Sequence, residues 1–280
     1  MSDNELGLFL RNRREAVTPA EAGLPAGGRR RTPGLRRAEV AMLAGVSVEY
    51  LIRLEQGRDR HPSPEVLAAL AGPLRLTPAE RTHLYKLSKA ANGFACRSLA
   101  AAPPARTVRP MLHAVLDRLE PAAAVLINPL GELLAYTSGF RRLAAPIGLL
   151  DGVRPNLIRY VFTDPRARAA YPDWEHVADE QVSALKHGPF HSDPARLGLA
   201  EELTVLAGEV FRERVARLPG LPRAHGSVRW EQPGVGVLRL SYETLDLADD
   251  DGIRLVVYLP ADQATGEALR ESAPLRLVAG

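Results

Sequence analysis

Four side chains of one short predicted helix have the chemistry to recognise a partner. The helix lies in the segment from residue 44 to residue 64, AGVSVEYLIRLEQGRDRHPSP. Its face turned away from the apolar stripe carries Val48, Glu49, Ile52 and Arg53. An arginine can neutralise a phosphate or form a bidentate pair with guanine, whereas a glutamate can accept a hydrogen bond from the amino group of cytosine. An isoleucine can contact the methyl group of thymine. These residue types together favour sequence-specific contact with DNA; the alternative is that Glu49 and Ile52 are ordinary surface residues.

Further arginines surround this helix in the first third of the chain. Arg36, Arg37 and Arg58 could each neutralise a phosphate or contact a guanine edge. Residues 1–92 contain 15 lysines and arginines against 10 aspartates and glutamates, whereas the rest of the chain contains 21 against 23. This asymmetry indicates that the first part meets a polyanion and the second does not. Arg29–Arg31 could form an arm on the DNA backbone or in the minor groove, or could belong to a solvated loop.

The helix that carries these side chains is the second of two short helices joined by a tight turn. Gly45 permits the left-handed backbone of that turn, and the hydroxyl of Ser47 can cap the helix that follows. Leu51 and Leu54, three residues apart, point inward, and Gly57 ends the helix. Two helices of this length are not stable alone, so flanking helices must supply the core. The outline is that of a helix-turn-helix motif.

Helix signals fill the rest of the N-terminal region. An apolar stripe marks a first helix over residues 5–15, and a hydroxyl residue precedes a proline at Ser63-Pro64 and at Thr77-Pro78, as at helix starts. A capping box accompanies the second of these starts. We therefore predict an all-α domain of five helices over residues 1–92, with the helix-turn-helix motif at about residues 37–56.

The pattern changes in the second part of the chain. Residues 93–108 are rich in alanine and proline without periodicity, which is typical of an interdomain linker. Two apolar runs, 122–128 and 132–137, indicate a hairpin, and residues 156–217 read mostly as helices. Three later runs have the pattern of consecutive antiparallel strands, namely SVRWEQ, VGVLRLSYETLDL and IRLVVYL. We therefore predict an α+β domain over residues 109–272, with helices over one face of an antiparallel sheet.

The N-terminal region resembles a known family of regulators. The run LRRAEVAMLAGVSVEYLIRLEQGRDRHPSPEVLAALAGPLRLTPAERTHLYKL, and with it most of residues 5–90, resembles the Xre/Cro-type helix-turn-helix regulators. It is most similar to an actinobacterial branch that carries a Gly/Arg-rich loop before the motif. Arg37 stands where the family usually has a glutamine, so its target is either a phosphate or a guanine edge. The resemblance implies DNA contacts, with Tyr50 reaching a phosphate, from Arg37, Ser47, Val48, Glu49, Tyr50, Ile52 and Arg53.

The C-terminal region resembles the ligand-binding domain of MmyB-like regulators, a PAS-like module, over about residues 109–271. The matching runs are LIRYVFTDPRARAAYPDWEHVADEQV and GSVRWEQPGVGVLRLSYETLDLADDDGIRLVVYLP. The resemblance implies a sensor that holds a small molecule, with apolar or fatty-acyl effectors suspected, between its sheet and its helices. Many relatives have Ala-Trp-Asn after the first hairpin, whereas this chain has Ala135-Tyr136-Thr137, which would change the shape and polarity of a pocket built there.

Aromatic residues cluster in the first half of this second domain, although aromatics make up only 5% of the chain. They could line a ligand pocket or could simply pack in the core. The candidates for ligand binding are Tyr136, Phe140, Tyr160, Phe162, Tyr171 and Trp174.

Other classes of protein find little support. Cys96 is the only cysteine, so a disulfide framework and a multi-cysteine zinc site are excluded. The sequence contains no phosphate-binding G-x-x-x-x-G-K-[ST] loop and no G-x-S-x-G elbow. His187 and His191 are separated by glycine and proline, which favours a loop over a metal site. We expect no enzymatic activity, no metal and no cofactor. Without a long apolar run or a signal peptide, we also expect no membrane contact and a cytoplasmic location.

Taken together, these features predict a sequence-specific, DNA-binding transcriptional regulator. A single helix-turn-helix contacts few base pairs, so we expect a homodimer on a palindromic operator of double-stranded DNA. We expect a small apolar or fatty-acyl-like effector to bind the C-terminal domain and to change operator affinity. The alternative is a DNA-tethered protein whose C-terminal domain is an unliganded dimerisation or protein-interaction module or has catalytic activity.

Overall fold

A computed structural model describes residues 4–25, 33–91, 105–187, 190, 193–217, 220–247 and 252–271. The chain divides into two compact units. The first contains residues 1–102 with the short segments 186–194 and 219–221, and the second contains the remaining residues. The arm at Arg29–Arg31, Cys96, His191 and most of the expected linker lie outside the described residues.

The first unit is built from helices, as its sequence predicts. Its described residues form α1 (Glu5–Ala16), α2 (Arg37–Ala44), α3 (Val48–Glu55), α4 (Pro64–Ala71) and α5 (Pro78–Ala91). Because each helix has an apolar stripe, the five share one core, in which Phe9, Val40, Leu54 and Leu70 are fully buried. Burial of this core holds together helices that would be too short to form alone.

Local capping fixes where these helices begin and end. The Ser47 hydroxyl accepts a hydrogen bond from the backbone N–H of Tyr50 at 3.1 Å, which starts α3. Gly45 has a φ of +67°, so the left-handed turn between α2 and α3 needs the conformational freedom of glycine. Thr77 and Glu80 form the expected capping box at α5. The helix-turn-helix geometry is therefore set by local sequence.

The second unit is an α+β domain around a five-stranded sheet. Its strands are β1 (Ala123–Ile127), β2 (Leu133–Tyr136), β3 (His225–Gln232), β4 (Gly236–Asp246) and β5 (Arg254–Pro260). They are antiparallel in the order β2-β1-β5-β4-β3, so the last strand lies at the centre. Its helices are α6 (Pro110–Leu119), α7 (Ser138–Ala144), α8 (Leu157–Thr163), α9 (Ala167–Ala170), α10 (Trp174–Leu185), α11 (Pro194–Ala207), α12 (Glu209–Arg217) and α13 (Gln263–Glu271).

The two faces of this sheet pack against different helices. Alternate strand residues such as Val125, Trp230 and Val256 belong to the main core with the side chains of α7 to α10. On the opposite face, Leu116 of α6 packs against Leu126 and other residues of β1 and β5. The sequence predicts helices over one face only, but α6 also covers part of the other, because that face of β1 is apolar as well.

Candidate functional site

The outer face of α3 presents the chemistry that its sequence predicts. Leu51 and Leu54 are buried in the core, whereas Glu49 and Arg53 are exposed and Ile52 is partly exposed on the other side of the helix. A charged donor, a carboxylate acceptor and an aliphatic side chain therefore share one accessible face. Such a face can hydrogen-bond to base edges and contact a thymine methyl in the major groove.

The side chains at the start of α3 serve the fold as well as this face. Ser47 is exposed although its hydroxyl caps the helix, while Val48 and Tyr50 are half-buried against the core of the first unit. The guanidinium carbon of Arg53 lies 5.4 Å from the centre of the Tyr50 ring. Burial raises the pKa of the Tyr50 hydroxyl, which therefore stays protonated and can donate a hydrogen bond to a phosphate.

Arg37 is held in an ion network that the sequence does not reveal. Its Nε lies 2.8 Å from one carboxylate oxygen of Glu55, and the Nε of Arg14 lies 2.6 Å from the other. The Glu55 side chain is only 2% exposed, whereas that of Arg37 is 42% exposed. The network therefore joins α1, α2 and α3 through one buried carboxylate and leaves part of Arg37 accessible.

Two more of the predicted DNA-binding arginines border the motif. Arg36 is exposed immediately before α2, and its backbone N–H donates to the carboxylate of Glu39 at 2.7 Å. Arg58 is exposed one residue after Gly57, whose φ of +69° ends the turn that follows α3. Both guanidinium groups can be reached by a polyanion.

A cavity of about 90 Å³ lies in the second unit between the sheet and α10. Four aromatic side chains form much of its wall, namely Tyr171, Trp230, Tyr242 and Tyr258. Aliphatic side chains complete the apolar part, including Ile127, Leu157, Val177 and Val256. The polar part comes from residues such as Glu180, Arg223, Thr244 and Arg254. An apolar cavity with a few polar groups is the usual form of a small-molecule site.

The six aromatic candidates from the sequence do not all meet at this cavity. Of the six, only Tyr171 lines it. The Tyr160 hydroxyl donates to the carbonyl of Ile147 at 2.7 Å, and the Trp174 indole donates to that of Val161 at 2.9 Å. Both therefore serve the core, as the alternative interpretation holds. Three further candidates contact other aromatic rings, namely Tyr136, Phe140 and Phe162.

The tryptophan and tyrosine residues of the cavity that the sequence missed lie on the last three strands. Trp230, Tyr242 and Tyr258 face the main core because strand residues alternate between the two faces of a sheet. The strand pattern therefore contained the signal, whereas clustering of aromatics along the chain did not.

Thr137, at the position where many similar proteins have asparagine, has a structural role. Its hydroxyl accepts hydrogen bonds from the backbone N–H groups of Phe140 and Ala124 and donates to the carbonyl of Ala122. It thus caps α7 and ties that helix to β1. The substitution preserves a helix start and does not add a group to the cavity.

The described residues contain neither a metal site nor a membrane-spanning helix. Across that part of the chain, no group of three or more His, Cys, Asp or Glu side chains is placed to hold a metal ion. No helix among those same residues combines the length and hydrophobicity needed to cross a bilayer.

Comparison with known proteins agrees with both units. Residues 5–84 match the model of a helix-turn-helix domain. Residues 108–271, more than half of the chain, match the model of the MmyB-like transcription regulator ligand binding domain. No curated protein matches the chain. The chain therefore belongs to the family of MmyB-like transcription regulators.

Proposed function

We propose that this DNA-binding transcription regulator acts as a homodimer on a palindromic operator and responds to a small, largely apolar or fatty-acyl-like effector. In this proposal the second unit is a sensor without catalytic activity, and the protein works in the cytoplasm. The observation that carries the proposal is the accessible outer face of α3, opposite its buried leucines.

Arg53 has the central role in operator recognition. It is exposed on that face and lies beside the half-buried ring of Tyr50, which restricts its position. A preorganised guanidinium can form the bidentate pair with guanine that is the commonest specific contact in the major groove. Glu49 and Ile52 would contact neighbouring bases, while Arg36 and Arg58 would neutralise phosphates and fix the position of the helix.

The homodimer follows from the small size of α3. A helix of eight residues contacts only a few base pairs, which is too little for specific binding in a genome. Two copies on half-sites one turn of DNA apart double the contacted sequence, and a twofold dimer matches a palindrome.

The effector binds in the cavity of the second unit. Its aromatic and aliphatic walls favour a small molecule with an apolar part. An effector that binds one conformation of the dimer better than the other would change operator affinity, typically by a coupling free energy of about 1–3 kcal/mol.

The test of DNA recognition compares two arginine variants of the full chain. Fluorescence anisotropy would measure affinity for the upstream region of the protein's own gene and for a shuffled duplex of equal composition at physiological salt. We expect the unchanged protein to prefer the upstream region, Arg53→Ala to lose that preference, and Arg11→Ala to keep it. Arg11 is a matched control because it is exposed on α1 and the substitution removes the same charge.

Equal affinity of the unchanged protein for both duplexes would contradict the proposal. A second activity that survives Arg53→Ala unchanged would favour the alternative, in which DNA contact only tethers the protein.

A further inference from the structure

Arg254 is the one arginine at the cavity whose charge has no partner within the part of the chain that the structure describes. It lies on β5 and lines the cavity, yet its guanidinium makes no ion pair within 4.0 Å and no hydrogen bond to the described residues. The other arginine of the wall, Arg223, is paired, because its Nε lies 3.5 Å from the carboxylate of Glu180. The charges of Arg223 and Glu180 cancel each other. The unpaired Arg254 therefore gives the cavity a net positive charge.

The surroundings of Arg254 make this unpaired charge costly. Burial lowers the pKa of its guanidinium, although the charges of Asp246 and Glu180 act in the opposite direction. Asp246 is the cross-strand neighbour of Arg254 on β4 but is exposed and lies beyond ion-pair distance. His176, Tyr242 and Tyr258 also line the cavity. A half-buried cation normally has an anion to compensate for lost water, and among the described residues none lies at contact distance from Arg254.

A second polar group, on a residue that lines the same cavity, also has no partner among the described residues. The hydroxyl of Tyr171 is buried and makes no hydrogen bond to the described residues. Burial raises the pKa of this hydroxyl, so it remains protonated and able to donate. Buried polar groups in proteins are usually hydrogen-bonded, so this hydroxyl has a donor to offer to a bound molecule or to water.

The size of the cavity limits the apolar part of such a molecule. An engineered cavity of roughly 150 Å³ in another protein holds one benzene ring. The present cavity, about 90 Å³, is smaller, although it is partly open to solvent. A short branched chain or one ring reaching toward the opening would fit between Trp230, Val177 and Val256, whereas a long acyl chain would need these walls to separate.

We propose that the effector is a small organic monocarboxylate whose carboxylate binds Arg254 and accepts a hydrogen bond from Tyr171. Its apolar part is a short branched chain or a single ring held by the aromatic walls. This inference rests on the proposed function, since it defines the effector of the same sensor domain. It adds a negative charge to the largely apolar effector proposed above.

Matched acids and amides test the inference in the full chain. Isothermal titration calorimetry at neutral pH would compare isobutyrate with isobutyramide, benzoate with benzamide, and both acids with decanoate. A charge-assisted hydrogen bond is worth more than a neutral one, so we expect each acid to bind at least about tenfold more tightly than its amide. Decanoate should bind more weakly than the short acids.

Substitution of Arg254 should remove this preference. We expect Arg254→Gln to bind acid and amide equally, and Arg239→Gln to retain the full preference of the unchanged protein. Arg239 is a matched control because it lies on the neighbouring strand β4, 68% exposed, and points away from the cavity. Circular dichroism would check the fold of each variant. Should Arg254→Gln fail to fold, Tyr171→Phe replaces it, with an expected loss of affinity that is larger for the acid than for the amide, because the amide carbonyl accepts only a neutral hydrogen bond.

Equal binding of acids and amides, tighter binding of decanoate, or no binding of either short acid would overturn the inference. Different results would contradict the proposed function and the carboxylate site. Acid binding that depends on Arg254 but leaves operator affinity unchanged would support this site and contradict the sensor role. Operator release by a neutral molecule, unaffected by Arg254→Gln, would contradict this site and leave the sensor role standing.

Discussion

Arg14 of the first unit and Arg254 of the second differ in whether their charge has a partner. In the first unit, Arg14 is 8% exposed and is paired with Glu55, while its Nη1 donates to the carbonyl of Leu35 at 3.0 Å. In the second unit, Arg254 lines a cavity without a partner among the described residues. A charge whose hydrogen bonds are satisfied inside the protein holds the fold together, and a charge left unsatisfied is available to something that binds. Pairing, and not burial alone, therefore separates scaffold from site.

The same difference between paired and unpaired charges is found on α3. Glu55, at the end of α3, pairs with two arginines, whereas Glu49 and Arg53 face outward and have no ion-pair partner among the described residues. Proteins commonly lose some stability at functional sites for this reason. Removal of satisfied groups and of unsatisfied groups therefore tests this distinction.

The largest expected effect comes from removing the satisfied carboxylate. Glu55→Ala leaves the buried guanidinium of Arg14 without its buried anion, with only the more exposed Glu15 nearby, and breaking a buried pair in this way typically costs about 3–5 kcal/mol. We therefore expect the free energy of unfolding of the first unit to fall by that amount. Urea denaturation followed by circular dichroism of the full chain would measure it.

A control for this substitution lies on the same arginine. Glu15 is 46% exposed and also lies within 3.3 Å of Arg14, so Glu15→Ala removes a carboxylate from Arg14 while Glu55 remains. We expect a loss of at most about 1 kcal/mol. Similar losses for the two variants would show that Glu55 is not the centre of the network.

Arg37 is both paired within the protein and partly accessible to a ligand. Its removal should have the next largest effect on stability. It pairs with Glu55 and is also partly accessible, so Arg37→Ala should cost about 1–2 kcal/mol of stability. Because its Nε is occupied, we expect its remaining donors to contact a phosphate, and the salt dependence of operator binding should weaken by about one unit of slope. Affinity measured across a salt series checks this. An unchanged slope with altered base preference would instead indicate a guanine contact.

Local signals were enough to predict most of the fold. The helix starts at Ser47, Ser63 and Thr77, the turn at Gly45 and the strand runs all depend on residues within a few positions of one another, and the structure confirms them. Glu55 is different, because its partners lie 18 and 41 residues away in the sequence. No local pattern distinguishes it from an ordinary charged residue on a helix.

The cavity was harder to predict for a related reason. The face on which Arg254 lies depends on how β5 pairs with β1 and β4, and strand register is a tertiary property. Aromatics that are close in sequence, such as Tyr160 and Trp174, instead donate to nearby carbonyls and build the core. The kind of ligand can be inferred only when the unpaired groups of different elements, Arg254 of β5 and Tyr171 after α9, are seen together.

Removing the unsatisfied hydroxyl of the cavity should raise stability. Tyr171→Phe deletes a buried group without a partner among the described residues and keeps the ring that packs on Trp230. We expect the ligand-free protein to gain about 1 kcal/mol in the free energy of unfolding, because the folded state no longer buries an unpaired hydroxyl. Tyr160→Phe is the matched control: its hydroxyl is bonded, so the same deletion should destabilise. A loss in both variants would show that Tyr171 is satisfied by an ordered water molecule.

The smallest effect is expected for substitution of Glu132, a carboxylate that has hydrogen-bond partners and lies in the same unit as Arg254. Arg106 and Asn128 donate to Glu132, and the hydrogen bond from Arg106 is the main reason why the pKa of Glu132 lies below its ordinary value of 4.5. A carboxyl group with a lowered folded pKa contributes stability that is fully present above the ordinary value and is lost as the pH falls through the folded one. We therefore expect Glu132→Gln to cost about 1 kcal/mol or less at neutral pH, and the difference from the unchanged protein to shrink below pH 4.5. Urea denaturation at a series of pH values would measure that difference. A difference that stays constant down to strongly acidic pH would mean that the carboxylate is not stabilised by its charge, and Glu132 would then not count as a satisfied group.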